Sequence, residues 1–304
     1  MATPGSRPPA PQNLEVTTSA LLRRLLDQHV SAVQAADGAL QPDLASGVHR
    51  MRVSLRRLRS TLSSFRPLLD GSVDGLRTEL AWISTELGGI GDADMVRERV
   101  RAALGTQQQS GTETFEILEP FLTSAHRDGL ARAQQAWRSE RYAELSTSLS
   151  RLFGSQVIIH PPGERPAKDV LPDLVGAELT GVAKFSRQVA RADEAEELDV
   201  VMHRLRLATK RARYITTALR QIDVRPVGKL ERDLKRLHSL LGERHDSTIT
   251  RRFLARLLET DQLDVPHALI ERHIDREIAL TSALDQKVPT AARKVTRWKA
   301  SLSP

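Results

Sequence analysis

Apolar residues recur along most of this chain at intervals of three and four, the period of an amphipathic helix. Between Leu14 and Ala36 they fall at Leu21, Leu22, Leu25, Leu26, Val30 and Val33, one face of a first helix. Pro42 suits the opening of a second helix, where its missing N–H costs nothing, and Pro67 closes it. A third helix is predicted from Ser72 to Gly88, and a fourth from Asp92, a residue suited to an N-cap. The run Gly88-Gly89-Ile90-Gly91 between them reads as a C-cap and turn. Two further helices are predicted over Thr112–Trp137 and Ser139–Phe153. Gly154–Pro172, with Pro161, Pro162, Gly163, Pro166 and Pro172, reads as a linker. The apolar run Val157–Ile159 inside it has the look of a strand fragment with no evident partner. Met1–Gln12 holds four prolines and no apolar stretch, which reads as a disordered leader and not a secretory signal.

Beyond the linker the pattern returns. His49-Arg50-Met51-Arg52 reappears 154 residues later as His203-Arg204-Leu205-Arg206. Leu87-Gly88 reappears at the same offset as Leu241-Gly242, and Asp92 as Asp246. Three separate markers at one offset are expected from tandem duplication of a helical unit. The fold class expected is all-α: two internally duplicated helical bundles related by a pseudo-twofold, residues 14–153 and 173–304, joined by the linker 154–172 and preceded by the leader 1–13.

The charge pattern is most informative within the repeated stretch. On a helical wheel Met51, Leu55, Leu58, Leu62 and Phe65 form one stripe, which must face a core. His49, Arg52, Arg56 and Arg59 fall on the opposite side within an arc of roughly 80°, and Arg50 and Arg57 form a flanking row. The second copy repeats this with His203, Arg206, Lys210 and Arg213, flanked by Arg204 and Arg211; Arg66 and Arg220 also correspond. No acidic residue lies between Asp43 and Asp70, or between Asp199 and Asp223. Solvated helix faces usually mix signs, because opposite charges at (i, i+4) stabilise and like charges repel. Acids of neighbouring helices, such as Glu79, Glu86, Glu231 or Asp233, could neutralise one such row; two matched, unrelieved rows are more simply compensated by an external anion. His49 to Arg59 spans roughly 15 Å, the scale of a chain of several phosphates more than of one small anion. Arginine suits this task because its planar fork grips phosphate oxygens in pairs.

Composition narrows the classes. Lys and Arg number 45 against 38 Asp and Glu, a formal charge of +7, and arginine dominates. There is no cysteine, which excludes disulfides, thiolate catalysis and Cys-based zinc sites. No apolar run approaches the roughly 18 residues of a membrane span, so no membrane partner is expected and a cytoplasmic location is the default.

The paired stretches Val48–Ser60 and Met202–Tyr214, each followed by Leu-Gly-x-x-x-Asp, resemble the CHAD domain family, the conserved-histidine α-helical domain. The resemblance extends over essentially the whole chain after the leader. It implies two helical bundles with basic helices lining a positive surface or channel. It further implies binding of inorganic polyphosphate, with recruitment to polyphosphate granules. Matched to the motif, the binding role falls on His49, Arg52, Arg56, Arg57 and Arg59, and on His203, Arg206, Lys210, Arg211, Arg213 and Tyr214. The chain departs from the family at Gly91, where relatives often carry a basic residue before the Asp; the counterpart His245 retains a donor.

Other readings fare less well on the residues. Nine histidines invite a metal site, but His49 and His203 lie among arginines, which repel a cation. His238 and His245 would share a helical face only if the helix ran through Gly242, which is expected to end it. A nucleic-acid-binding helical module is the runner-up, weakened by the 4% aromatic content, which gives no stacking platform. The sequence has no glycine-rich phosphate loop, paired carboxylates or nucleophile–base constellation, so no enzyme and no cofactor are expected.

Overall fold

The computed structural model describes residues 16–38, 44–71, 73–104, 108–152, 159–222, 227–259 and 267–302. The leader, Pro42 and residues 157–158 lie outside them. The chain is all-helical, in this order: α1 (Thr18–Gly38), α2 (Leu44–Ser64), α3 (Val73–Glu86), α4 (Gly88–Leu104), α5 (Gln108–Trp137), α6 (Glu140–Leu152), α7 (Ala167–Val189), α8 (Ala195–Arg220), α9 (Val227–Leu258), α10 (His267–Arg297) and the single turn α11 (Lys299–Leu302). Among the described residues β structure is limited to two isolated bridges, Thr17 with Pro166 and Leu69 with Ile159.

The leucine stripes do what their spacing dictates. Met51, Leu55, Leu58 and Leu62 of α2 and Phe65 just beyond its end are all buried, as are Leu205, Ala208, Ala212, Ile215 and Leu219 of α8. Fully burying such a side chain contributes about 1.5–3 kcal/mol. The two helices pack against each other, and the Ser64 hydroxyl donates to the Arg211 carbonyl across their contact (3.4 Å). The main core is continuous through both halves of the chain, from Leu21 and Leu58 to Leu205 and Val288. A smaller core at one end joins Val96 and Val100 of α4 and Leu122 of α5 to Leu254 of α9 and Ile270 of α10. Beside it Arg99 of α4 reaches Glu243 of α9 and Glu277 of α10, both at 2.7 Å. The element bounds keep the sequence offset: α3 begins at Val73 and α4 ends at Leu104, while α9 runs from Val227 to Leu258, 154 residues on at each end.

Four local expectations need correction. Residues 167–172, placed in the linker for their prolines, form the opening of α7; burial of Leu171, Leu174 and Val175 outweighs the hydrogen bond lost at Pro172. Ile159 does find a partner, in Leu69, and the neighbouring His160 amide donates to the Leu68 carbonyl at 2.9 Å. Gly242 does not end a helix, because α9 continues through it; an interior glycine costs only about 1 kcal/mol, less than the packing on either side returns. Gly88–Gly91 is no loop but the first turn of α4, so Asp92 lies inside the helix and is not its N-cap. The glycines there permit close helix crossing. Gly129 of α5 sits so near α4 that a Cβ would stand 2.9 Å from the Ile90 amide nitrogen and 3.0 Å from the Gly89 carbonyl carbon.

This last contact sets opposing effects against each other. Alanine favours a helix interior over glycine by about 1 kcal/mol, but the atoms in its way are backbone and cannot rotate aside. Gly129→Ala should therefore destabilise, by about 1–3 kcal/mol, the usual cost of overpacking. Urea denaturation checks it; a stabilised variant would show that α4 and α5 part freely.

Candidate functional site

The polar faces of α2 and α8 meet in a cleft of about 410 Å³. From α2 come Arg52 and Arg56; from α8 come Arg206, Lys210, Arg213 and Tyr214. The remaining walls are Gly91, Asp92 and Met95 of α4 and His238, His245 and Asp246 of α9. With their aliphatic stripes buried in one core and the two helices packed on each other, α2 and α8 bring their cationic rows together in this cleft. The four residues Arg52, Arg56, Arg206 and Lys210 stand at (i, i+4) spacing on their helices, one above the other on the same face.

The cleft holds five cationic side chains against two carboxylates, and its electrostatics show the imbalance. Burial pushes the Lys210 ammonium down to about 7, helped by the charges of Arg56, Arg206, Arg59 and Arg213. Burial, followed by Arg213, Arg206, Lys210 and Arg56, pushes His238 down to about 4. His245 falls to about 4 through burial and then Arg206. Both imidazoles are therefore neutral near pH 7 and can still donate one ring N–H. Burial also lowers Arg52 and Arg206. It raises Asp92 and Asp246 despite the arginines around them. Arg52 and Asp92 are 3.9 Å apart, too far for a hydrogen bond, and neither partner's shift is that of a stabilised pair. Among the described residues this is the only ion pair the cleft cations make. The Nε of Arg206 is buried and has no hydrogen-bond partner among the described residues.

Of the residues singled out by sequence, Arg52, Arg56, Arg206, Lys210, Arg213 and Tyr214 are brought together here. Arg59 is half-buried just beyond the lining, close enough to bear on Lys210 and to feel Arg77. His203 lies in an adjoining hollow that shares Arg206 and His245 with the cleft; its ring centroid is 5.6 Å from that of His245. His49 is exposed and outside the cleft wall. Two assignments point elsewhere. Arg57 is exposed and its charge acts on His29 of α1; Arg211 is held by Glu178 of α7 at 3.0 and 3.1 Å. Each follows a cleft residue by one position, which turns it about 100° around the helix.

Of the acids named as possible internal partners, Glu79 and Asp233 are engaged elsewhere, and Glu231 meets the basic residue at the end of α8. Glu79 takes Arg141 (2.6 Å), and Asp233 accepts from the indole of Trp298 (2.9 Å). Glu231 takes Arg220 (3.0 Å), and Arg66 is gripped by Asp74 (2.6 and 2.7 Å). Sequence reasoning missed Gly91, Asp92, Met95, His238 and Asp246 as wall residues. The spacing of seven between His238 and His245 was the available signal, obscured by the expectation that Gly242 breaks the helix.

The model of the CHAD domain matches residues 24–255. Uncharacterized protein Rv2226 of Mycobacterium tuberculosis strain H37Rv is 26% identical over 262 residues, covering 83% of this chain and 47% of that protein. Uncharacterized protein MT2285 of strain CDC 1551 matches to the same extent, so the chain spans about half the length of the curated relatives it matches. Among solved structures, PptA from Streptomyces chartreusis superimposes with a TM-score of 0.70 at 21% identity, covering 94% of this chain and 100% of that one. The CHAD domain from the plant Ricinus communis does so with 0.70 at 20%, covering 92% and 93%. At these identities the two structures share a fold with the chain.

The geometry distinguishes structural from uncompensated charge. Arg244 is buried, with hydrogen bonds to Asp199 (2.8 Å) and Asp285 (2.5 Å). Arg244→Ala strands Asp285, while Asp199 keeps Arg252 at 3.0 Å, and should cost about 3 kcal/mol. Lys210→Met should do the reverse. Lys210 titrates near 7 in the folded chain against 10.5 when unfolded, so between those values the unfolded state binds more protons and native stability rises with pH. The variant should therefore exceed the parent by on the order of 1–3 kcal/mol at pH 6, with the difference shrinking towards pH 10. Melting curves of both variants from pH 6 to 10 check this; a destabilised Lys210→Met at pH 6 would contradict it.

Proposed function

The chain belongs to the CHAD domain family, and on that premise we propose that its cleft binds inorganic polyphosphate without catalysing a reaction on it. The observation that carries this reading is the convergence of Arg52, Arg56, Arg206, Lys210 and Arg213 on one cavity with no tight counter-ion among the described residues. Such charges repel one another until an anion enters, so ligand binding and relief of repulsion are one event. A linear phosphate chain supplies evenly spaced anionic oxygens. The guanidinium forks grip them in pairs, and the neutral rings of His238 and His245 donate from a ring N–H. The adjoining hollow with His203, Arg204 and Arg252 offers the chain a continuing basic path. A duplex presents its phosphates on a convex surface, which cations facing inward across a cleft do not match. Recruitment to polyphosphate granules would follow from the same affinity. Among the described residues no helix is long and apolar enough to cross a membrane.

Competition of long-chain polyphosphate against duplex DNA, RNA and orthophosphate at fixed salt tests the ligand. Polyphosphate should bind tightest at equal phosphate concentration, and its affinity should fall steeply with salt as counterions are released; equal or tighter binding of nucleic acid would overturn the assignment. Orthophosphate release on prolonged incubation, with and without added magnesium, would overturn the non-catalytic part. Arg206→Ala and Lys210→Ala should each weaken binding by roughly 10- to 100-fold, the value of a charge-assisted hydrogen bond. Affinity should also depend on pH. Lys210 is half-neutral near pH 7 in the empty cleft, whereas bound phosphate favours its charged form, so a proton is taken up on binding above pH 7. Affinity should then fall from pH 7 to 9, by up to about tenfold per unit, and Lys210→Arg should flatten that slope.

A further inference from the structure

The one wall of the cleft without a side chain is Gly91, in the first turn of α4. Its place is taken by another residue. A Cβ built on Gly91 would overlap the guanidinium of Arg52, and the three heavy atoms nearest to it all belong to that group. Arg52 reaches across from α2 and lies in the space a side chain at position 91 would fill, with its Nη2 3.9 Å from the Asp92 carboxylate. In the second half the residue 154 positions later is His245, which keeps its side chain and lines the cleft itself. The contrast with Gly129 is instructive. There the atoms in the way are backbone, so a methyl group would push helices apart; at Gly91 they are the far end of a flexible side chain, which can swing away at little cost to the fold.

We propose that Gly91 is a positioning residue of the cleft: the space left by its missing side chain seats the Arg52 guanidinium, so that residue 91 decides whether α2 delivers this cation to the ligand. The two halves then furnish equivalent corners of the site differently. In the first, α4 yields its side chain and α2 supplies a permanent cation. In the second, α9 supplies an imidazole and Arg206 retains a buried, unpartnered Nε among the described residues. The ligand part of this inference rests on the polyphosphate reading; the seating itself does not.

Gly91→Ala in the full chain tests it. Polyphosphate affinity should fall about as far as in Arg52→Ala, roughly 10- to 100-fold, while the melting temperature holds or rises, because alanine replaces glycine within a helix. In the Arg52→Ala background the same substitution should cause no further loss. A melting temperature that falls together with affinity, or a loss that persists without Arg52, would overturn the proposal. A crystal structure of ligand-free Gly91→Ala gives a second readout independent of any ligand. Arg52 displaced from α4 supports the seating even if the parent protein fails to bind polyphosphate, an outcome that would sink only the functional reading. Arg52 unmoved overturns the seating whatever the chain binds.

Discussion

The packing of α2 on α8 is the constraint from which the character of the cleft follows. Each helix buries an aliphatic stripe in one core and carries a cationic row off that stripe, and with α2 packed on α8 the two rows line one cleft. The leucines prevail because a handful of them, at about 1.5–3 kcal/mol each, outweigh repulsion between charges that water still partly screens. The strain is visible in Lys210, whose ammonium is held only marginally in its charged form. Charge is sorted accordingly. Arg66, Arg211, Arg220 and Arg244 each meet carboxylates at 3.1 Å or closer. Among the described residues the cations inside the cleft have a single loose carboxylate partner, Asp92.

Much of this was legible in the sequence, and for physical reasons. A stripe such as Met51–Phe65 admits one orientation of α2, which fixes the cationic row on the other side; hence six of the eleven residues assigned to binding line the cleft. The rest required tertiary knowledge. Arg57 and Arg211 differ from Arg56 and Lys210 by one helical step, and whether that step faces α1, α7 or the cavity depends on where neighbouring helices lie. His49 and His203, the namesakes of the motif, occupy the exposed flank and the adjoining hollow. The walls given by α4 and α9 were hidden because their glycines read as breaks. Gly91 and Gly129 are there for close approach, and Gly242 is simply tolerated within α9. A glycine's role is set by what comes near it, which composition cannot disclose.

The cleft also explains how a helical protein with few aromatics can present a defined anion site. No loop is required to shape it: its walls come from four helices, and every cation lining it rises from a helical backbone. Side chains so mounted lose little further freedom when they grip a ligand, which leaves more of each hydrogen bond for affinity.

The cores described above cross the boundary between the two halves, and this bears on how the chain reaches its fold. Val96 and Val100 are buried against Leu254 and Ile270, partners more than 150 residues away along the chain. Such closure is slow, since distant segments must meet before their contacts contribute. During synthesis the first half emerges with its share of both cores uncovered and must wait for the second half to arrive. Either half alone is thus an unfinished intermediate, exposed to aggregation, and the two halves together are the smallest unit that closes both cores.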